Sequence, residues 1–235
     1  MKLLVYGLII LSQQLLLKVK TGEDTRSLQD SIASMPASAL TDELNTEDEK
    51  LAFWLNIYNA NIQLQLKDSA AKYTNRTKFF KTKSITVAGK KLSFDDIEHG
   101  ILRHSKSKLS LGYFNKWFPG KFERQHRLQK ADYRIHFALN CGAASCPPIA
   151  FYKPEIINKQ LDLATNNYLQ QEVAFDSTAN TVTVPKLMLW FKGDFGGKRG
   201  VYSILHKMQL IPANARPKIK YKEYSWTLML NNYSQ

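Results

Sequence analysis

The sequence of 235 residues has few of the features that mark non-globular or disulfide-dominated chains. It contains two cysteines, eight prolines and 11 glycines, and it has no low-complexity tract. These counts exclude collagen-like and wholly disordered classes, and two closely spaced cysteines can close only a short loop. No glycine-rich nucleotide motif, phosphate loop or nucleophile elbow occurs, which argues against the usual nucleotide enzymes and serine hydrolases. The 44% of hydrophobic residues suits one globular domain with a sizeable core.

Hydrophobic spacing predicts the secondary structure. Apolar residues recur every three or four positions in six segments, which predicts helices over 3–20, 24–34, 46–67, 93–104, 154–171 and 199–208. Alternating or β-branched residues predict strands over 84–88, 134–141 and 181–185. Weak periodicity over 105–132 predicts a long excursion or lid. We therefore expect an α+β fold, with an N-terminal helical segment over 1–39 and a single domain over 40–235 in which a small β-sheet is covered by several helices.

The N-terminus allows two interpretations. Lys2 and the apolar run that follows it resemble the start of a signal peptide. The helical pattern continues through Leu15–Leu17, no small-x-small cleavage site follows promptly, and the run is too short to span a bilayer. We therefore predict a buried helix ending at Gly22, no transmembrane segment and a cytoplasmic protein, with secretion left open by the signal-peptide-like start.

The positive charge is concentrated in part of the chain. The net charge is +13, and residues 67–134 carry 17 Lys or Arg against six Asp or Glu. Such asymmetry is typical of a solvated basic face or of a surface that docks an anionic partner. The basic residues follow no common spacing and are not interleaved with aromatic residues in a nucleic-acid-binding pattern. We predict a solvated face and no nucleic-acid partner, and we keep a non-catalytic binding module for an anionic partner as the alternative function.

The stretch around the two cysteines carries the strongest chemical signal. On the predicted strand, His136 and Asn140 share one face and Cys141 lies on the other, which predicts that Cys141 belongs to the core. Cys146 precedes Pro147, and proline is favoured at the first position of a helix or turn. Exposed backbone N–H groups at such a position stabilise a thiolate. Cys146 is therefore the better candidate for a nucleophile.

A thiol nucleophile needs a base that a polar partner holds in one tautomer. His99 and His136 are the candidate bases, and the candidate orienting residues are Asn140, Asn59 and Asp194. The predicted catalytic residues are Cys146, His99, His136, Glu98 and Asn140, and the predicted substrate-binding residues are Arg103, Asn59 and Asp194. The alternative is that both histidines are structural and Cys146 is a small buried residue. The spacing of cysteines and histidines does not match a structural zinc site, so we predict neither a metal nor a cofactor.

Four runs of the sequence resemble, in order, the motifs of the domain of unknown function 547 family. They are Ala52–Ala60, Leu92–Arg103, His136–Pro148 and Trp190–Phe195, and the closing Tyr224–Leu228 is similar to the family's C-terminal end. The resemblance covers roughly residues 40–230. The motif positions include acidic, histidine and cysteine residues, a composition more typical of a reactive centre than of a core.

The resemblance implies a function only in outline. We expect a thiol-dependent hydrolase or acyltransferase that acts on an unidentified small-molecule, amide or peptide-like substrate through a Cys/His site. The likeness to papain-like or transglutaminase-like enzymes is a fold-level analogy. In those enzymes the nucleophile precedes its histidine, whereas here both His99 and His136 precede Cys146. The arrangement would therefore be permuted or convergent.

Overall fold

The computed structural model describes residues 7–234, and the start of the helix predicted over 3–20 lies outside the described residues. The α-helices are α1 (Leu8–Thr21), α2 (Arg26–Ser34), α3 (Ala39–Asp42), α4 (Glu47–Asp68), α5 (Arg76–Lys81), α6 (Lys121–His126), α7 (Ile157–Glu172), α8 (Leu187–Trp190) and α9 (Gly197–Lys207). A π-helix spans Asp96–Leu102, and 3₁₀ turns span Ala70–Asn75, Lys108–Ser110, Tyr133–Phe137 and Pro154–Ile156. The strands are β1 (Ile85–Val87), β2 (Lys90–Leu92), β3 (Ala174–Asp176), β4 (Thr181–Val184) and β5 (Lys218–Tyr221).

The strands form two small sheets. Strands β1 and β2 make an antiparallel hairpin. In the second sheet β4 is central, antiparallel to β3 and parallel to β5, with Val182 opposite Phe175 on one side and Ile219 on the other. The helices pack around these sheets and around each other, which confirms the predicted α+β class. Across residues 7–234, the structure has no helix whose length and apolar character would let it cross a bilayer.

Local sequence signals explain where the main helices begin and end. Helix α4 starts with a capping box, in which the Thr46 hydroxyl accepts the Glu49 N–H at 3.2 Å and the Glu49 carboxylate accepts the Thr46 N–H at 2.8 Å. The same reciprocal bonds join Ser93 and Asp96, at 3.0 and 2.9 Å. Gly22 ends α1 in the left-handed conformation, with φ of 76°. All three boundaries were predicted from the sequence.

Helix α4 is the central element of the larger core. Its side chains from Leu51 to Gln63 are buried on every side, and it packs against α1, α7 and the π-helix. Two buried amides on this helix bind distant backbone. The Asn56 amide pairs with the N–H and carbonyl of Tyr152, at 3.0 and 2.9 Å. Asn59 donates to the Ala138 carbonyl at 3.0 Å and accepts the Asn140 N–H at 2.9 Å. These amides therefore clamp two loops onto α4.

The prediction of a strand over 134–141 is wrong. The segment instead starts with the 3₁₀ turn at Tyr133–Phe137, where the Asp132 carboxylate accepts the Arg134 N–H at 2.9 Å. Residues 135–140 are buried on both faces, so the apparent alternation of the sequence does not correspond to a half-exposed strand. Asn59 satisfies backbone groups at 138 and 140 that a neighbouring strand would otherwise bind.

The clamp made by Asn59 leads to a stability prediction. We expect Asn59→Ala to lower the free energy of unfolding by about 2–6 kcal/mol, because it leaves a buried carbonyl and a buried N–H unpartnered at about 1–3 kcal/mol each. Asn61→Ala is the matched control, since the Asn61 amide binds only the Ile57 carbonyl within its own helix. Urea denaturation of both variants measures the difference. Equal losses of unfolding free energy in Asn59→Ala and Asn61→Ala would contradict the clamp.

Candidate functional site

A pocket of about 320 Å³ lies where the two hydrophobic clusters of the protein meet. Tyr58 and Leu139 line it from the larger cluster, while Leu187 and Phe191 line it from the smaller one. Its aromatic lining consists of Tyr58, Phe80, Trp190, Phe191, Tyr224 and Trp226. Its ionisable and sulfur-containing lining consists of Asp95, Glu98, His99, Lys108, His136, Cys141 and Cys146. A mostly apolar cavity with a few converging polar groups is the usual form of a ligand site.

The pocket brings together four of the five residues predicted to be catalytic. Glu98 and His99 come from the π-helix, His136 from the 3₁₀ turn and Cys146 from the loop that follows. Asn140 is fully buried outside the lining. Its amide donates to the Pro147 carbonyl at 2.8 Å and accepts the Gly142 N–H at 3.0 Å, so it shapes the cysteine loop.

The three residues predicted to bind substrate lie behind the pocket wall. The side chains of Arg103 and Asp194 are each 1% exposed, and Asn59 is fully buried in its clamp. None of them lines the pocket. Their geometry gives them a positioning role.

A buried hydrogen-bond network joins both histidines of the pocket. Arg103 Nε donates to Asp194 Oδ2 at 2.6 Å, and His136 Nε2 lies 2.8 Å from the same oxygen. Arg103 Nη1 lies 2.8 Å from His99 Nδ1. Arginine only donates, so His99 Nδ1 accepts, and neutral His99 carries its proton on Nε2. A carboxylate only accepts, so His136 donates its Nε2 proton to Asp194.

Burial and neighbouring groups determine the protonation states of the residues in this network. Burial lowers the pKa of His99 well below its usual range, and the Arg103 guanidinium lowers it further. Burial lowers the pKa of His136 to about 4, against the opposing effect of the hydrogen bond to Asp194. Burial would raise the pKa of Asp194, but hydrogen bonds from His136 and Arg103 lower it below its usual value. At neutral pH the network therefore contains two neutral imidazoles and one ion pair.

Glu98 titrates close to neutral pH. Burial raises the pKa of its carboxyl from 4.5 to about 7, with Arg103 lowering it and Asp95 raising it. The Tyr58 hydroxyl donates to Glu98 Oε2 at 3.3 Å. The π-helical turn holds Glu98 in place, since its carbonyl accepts the Arg103 N–H five residues on at 2.9 Å. A carboxyl with this pKa can both donate and accept a proton under physiological conditions.

The two cysteines form a disulfide in this structure. Cys146 is 4% exposed, and Cys141 is half-buried. The prediction that Cys141 belongs to the core is therefore wrong, because residues 134–141 do not form a strand. Cys146 Sγ accepts the Cys141 N–H at 2.9 Å, and the Tyr224 hydroxyl lies 3.2 Å from each sulfur. No helix begins at Pro147, so the backbone donor at the sulfur belongs to Cys141.

The extended C-terminal segment holds the cysteine loop. The Ala144 N–H donates to the Thr227 carbonyl at 2.8 Å, and the Met229 N–H donates to the Gly142 carbonyl at 2.8 Å. Gly142 has φ of 85°, and a Cβ at this position would contact the Leu66 side chain. The pairing therefore fixes both the loop and the part of the C-terminal segment that contributes to the pocket.

Sequence reasoning missed several aromatic residues of the pocket. Tyr58 and Tyr224 contact Glu98 and the sulfurs, while Trp190 and Trp226 line the wall. All four lie in the runs that carry the family resemblance. The position of these residues in the runs was the available sequence signal. That position does not show which side chains line a common pocket.

The chain belongs to the family described as "Protein of unknown function, DUF547", whose sequence model matches residues 41–169, more than half of the chain. The match contains Glu98, His99, His136 and Cys146, while Asp194 lies beyond it. No curated protein and no solved structure matches the chain.

Breaking the ion pair should destabilise the fold. We expect Asp194→Ala to lower the free energy of unfolding by about 3–5 kcal/mol, because Arg103 is then a buried charge without its partner. The loss of unfolding free energy in the double variant Asp194→Ala/Arg103→Met should be about 1–3 kcal/mol smaller than the sum of the losses in the two single variants. Urea denaturation of the four proteins measures this coupling. Strictly additive losses would contradict it.

The raised pKa of Glu98 predicts a pH-dependent stability. Between about pH 4.5 and about pH 7 the folded state binds more protons at Glu98 than the unfolded state, so this contribution is lost as the pH rises. The stability of the wild type relative to Glu98→Gln should fall by up to about 3 kcal/mol across this range and stay level above it. Denaturation of both proteins across the pH range measures the difference, in which the histidine contributions cancel. A difference independent of pH would contradict the raised pKa.

Proposed function

We propose that the pocket is the active site of a thiol-dependent hydrolase or acyltransferase, with Cys146 as the nucleophile after reduction of its bond to Cys141. The observation that carries this proposal is the position of the Cys146 sulfur. It accepts the Cys141 N–H at 2.9 Å, lies 3.2 Å from the Tyr224 hydroxyl and shares the pocket with Glu98. Hydrogen-bond donors directed at a sulfur stabilise its thiolate and offset the cost of burial.

Reduction is the first requirement of this mechanism. A thiol reductant attacks one sulfur, the bond between Cys141 and Cys146 breaks, and the products are two cysteine thiols and the oxidised reductant. Cys141 is the more exposed partner and offers the accessible sulfur. The donors at Cys146 then act on a free thiol.

The pKa of Glu98 favours this residue as the general acid and base of the pocket. Its pKa of about 7 allows it to accept the proton of Cys146 and to return it later. His99 is less suited to be the base because its Nδ1 lone pair is bound to Arg103. Its Nε2 lies 3.6 Å from Asp95 Oδ1, beyond ordinary hydrogen-bond distance, and the Nε2–H can donate to a substrate carbonyl oxygen. His136 binds Asp194 and packs in parallel against Phe191, with ring centroids 3.9 Å apart, which completes the wall.

The reaction follows from these roles. The Cys146 thiolate attacks the substrate carbonyl carbon and forms a C–S bond, while His99 donates a hydrogen bond to the oxygen. The C–N bond of the amide breaks, and Glu98 gives its proton to the leaving amine. Water, or an acceptor amine or alcohol, then attacks the thioester and gives a proton to Glu98. The C–S bond breaks and the thiolate is restored.

The lining of the pocket favours an uncharged acyl group. Six aromatic side chains surround the space, and Lys108 pairs with Asp95 at 2.9 Å, so these two charges neutralise each other. A volume of about 320 Å³ accommodates a small apolar acyl group or one amino-acid side chain with its carbonyl. An amide or peptide-like substrate fits this description.

Thiol reactivity tests the assignment of the nucleophile. Cys141→Ser leaves Cys146 as the single thiol, and Cys146→Ser is the matched variant with Cys141 alone. We expect Cys141→Ser to react with iodoacetamide at about pH 6 at least about tenfold faster than Cys146→Ser, because only Cys146 is held by two donors. Adding Tyr224→Phe to Cys141→Ser should slow the reaction. Intact-mass kinetics measure all three rates, and equal rates would contradict an activated Cys146.

Acylation tests the chemistry itself. Reduced protein treated with p-nitrophenyl esters of short acyl groups should release a burst of about one equivalent of nitrophenol and gain one acyl group on Cys146. Cys146→Ser should give no burst. Absence of the acyl group from Cys146 in the reduced wild type would contradict the enzyme proposal and favour a non-catalytic binding module.

A further inference from the structure

Large apolar side chains are concentrated at the tip of the loop over residues 106–120, which we call the aromatic loop. Leu109 is 95% exposed, Phe118 92%, Trp117 88% and Phe114 72%. Single exposed apolar residues are common on soluble proteins, but four within ten positions are not. Such a group marks a surface that contacts something other than water.

The aromatic loop is held in this shape by the rest of the protein. The Ser107 N–H donates to the Phe114 carbonyl at 2.9 Å, and the Lys116 N–H donates to the Ser105 carbonyl at 2.7 Å. The middle of the loop is fixed at Leu111, whose carbonyl accepts the Gly193 N–H at 2.7 Å. A Cβ at Gly193 would meet the backbone of the loop, so this approach requires glycine. The backbone is thus bonded internally while the aromatic side chains face outward.

The surroundings of the exposed aromatics are strongly basic. Residues 106–130 contain seven Lys or Arg and one acidic residue, Glu123. Lys116 pairs with Glu123 at 3.1 Å and Lys108 with Asp95 at 2.9 Å, which leaves five of the seven without an acidic partner among the described residues. Lys121 and Arg124 are exposed on α6, directly after the aromatic tip. The tip therefore presents apolar rings bordered by charge of one sign.

We propose that the aromatic loop docks the protein onto the surface of an anionic phospholipid bilayer. Trp117 enters the interface between headgroups and acyl chains, where its amphipathic indole is favoured, and Phe118 adds buried apolar area beside it. Lys121 and Arg124 contact the headgroup phosphates of the anionic surface. A protein partner fits less well, because the centres of protein interfaces are depleted in lysine.

This docking goes beyond the proposed chemistry and does not depend on it. Lys108 and Leu111 belong to the aromatic loop and also line the pocket. A docked protein would therefore hold the pocket close to the membrane surface. Charge alone predicted a solvated face, and the exposed aromatic tip is the observation that changes this interpretation.

Flotation with vesicles tests the docking. At about 0.15 M salt, where screening acts over about 8 Å, the wild type should float with vesicles of phosphatidylglycerol and phosphatidylcholine in equal parts. On phosphatidylcholine alone its binding should be at least about tenfold weaker. Trp117→Ser/Phe118→Ser should lose at least about tenfold in binding to the anionic vesicles. The matched control is Leu163→Ser, which removes a 61% exposed leucine from α7.

Charge reversal and self-association complete the test. Lys121→Glu/Arg124→Glu should weaken binding to anionic vesicles, while Lys159→Glu, an exposed site on α7, should not. Far-UV circular dichroism verifies that every variant is folded. Equal flotation of the wild type and Trp117→Ser/Phe118→Ser, or no flotation of the wild type, would overturn the proposal. A wild-type dimer that ignores vesicles and is dissociated by these serine substitutions would overturn it in favour of an interface between two copies.

Discussion

The buried ion pair between Arg103 and Asp194 is the interaction on which the site depends. It joins the π-helix to a turn 91 residues further along the chain. Removing both charges from water is costly, and additional hydrogen bonds offset part of that cost. Here His136 donates to the carboxylate and His99 accepts from the guanidinium, while Asp194 Oδ1 and Arg103 Nη2 are buried without a hydrogen-bond partner among the described residues. Each imidazole is thereby fixed in one tautomer, and neither carries a charge at neutral pH.

The proposed acid–base and nucleophilic roles belong to different side chains of the pocket. The two histidines are neutral hydrogen-bonding elements of the wall, whereas the pKa of Glu98 is about 7. The sulfur chemistry is supplied from elsewhere, because α4 and the C-terminal segment together position the loop with Cys141 and Cys146. Glu98 and Cys146, to which the proposed function assigns the acid–base and nucleophilic roles, line one pocket although different contacts hold them.

Local patterns in the sequence predicted the elements that depend on local interactions. The long helices and their capped starts at Thr46 and Ser93 follow from periodicity and side-chain hydrogen bonds within a few residues. The segment over 134–141 was misassigned as a strand because tertiary contacts bury it and because its backbone binds the Asn59 amide of α4. Short elements such as β5 and α8 carry too few residues for a periodic signal. The family motifs contain Glu98, His99, His136 and Cys146 of the pocket, but the tautomers of the histidines depend on the partners of Arg103 and Asp194, which only the fold reveals.

The protonation of the two pocket histidines tests this account most directly. Nitrogen-15 NMR of the imidazoles at about pH 6 distinguishes the charged ring from the two neutral tautomers. The geometry predicts that His99 and His136 are both neutral with the proton on Nε2. It also predicts that Asp194→Asn disturbs the His136 signal directly and the His99 signal through Arg103. A charged imidazolium at either position, or a proton on His99 Nδ1, would contradict the network.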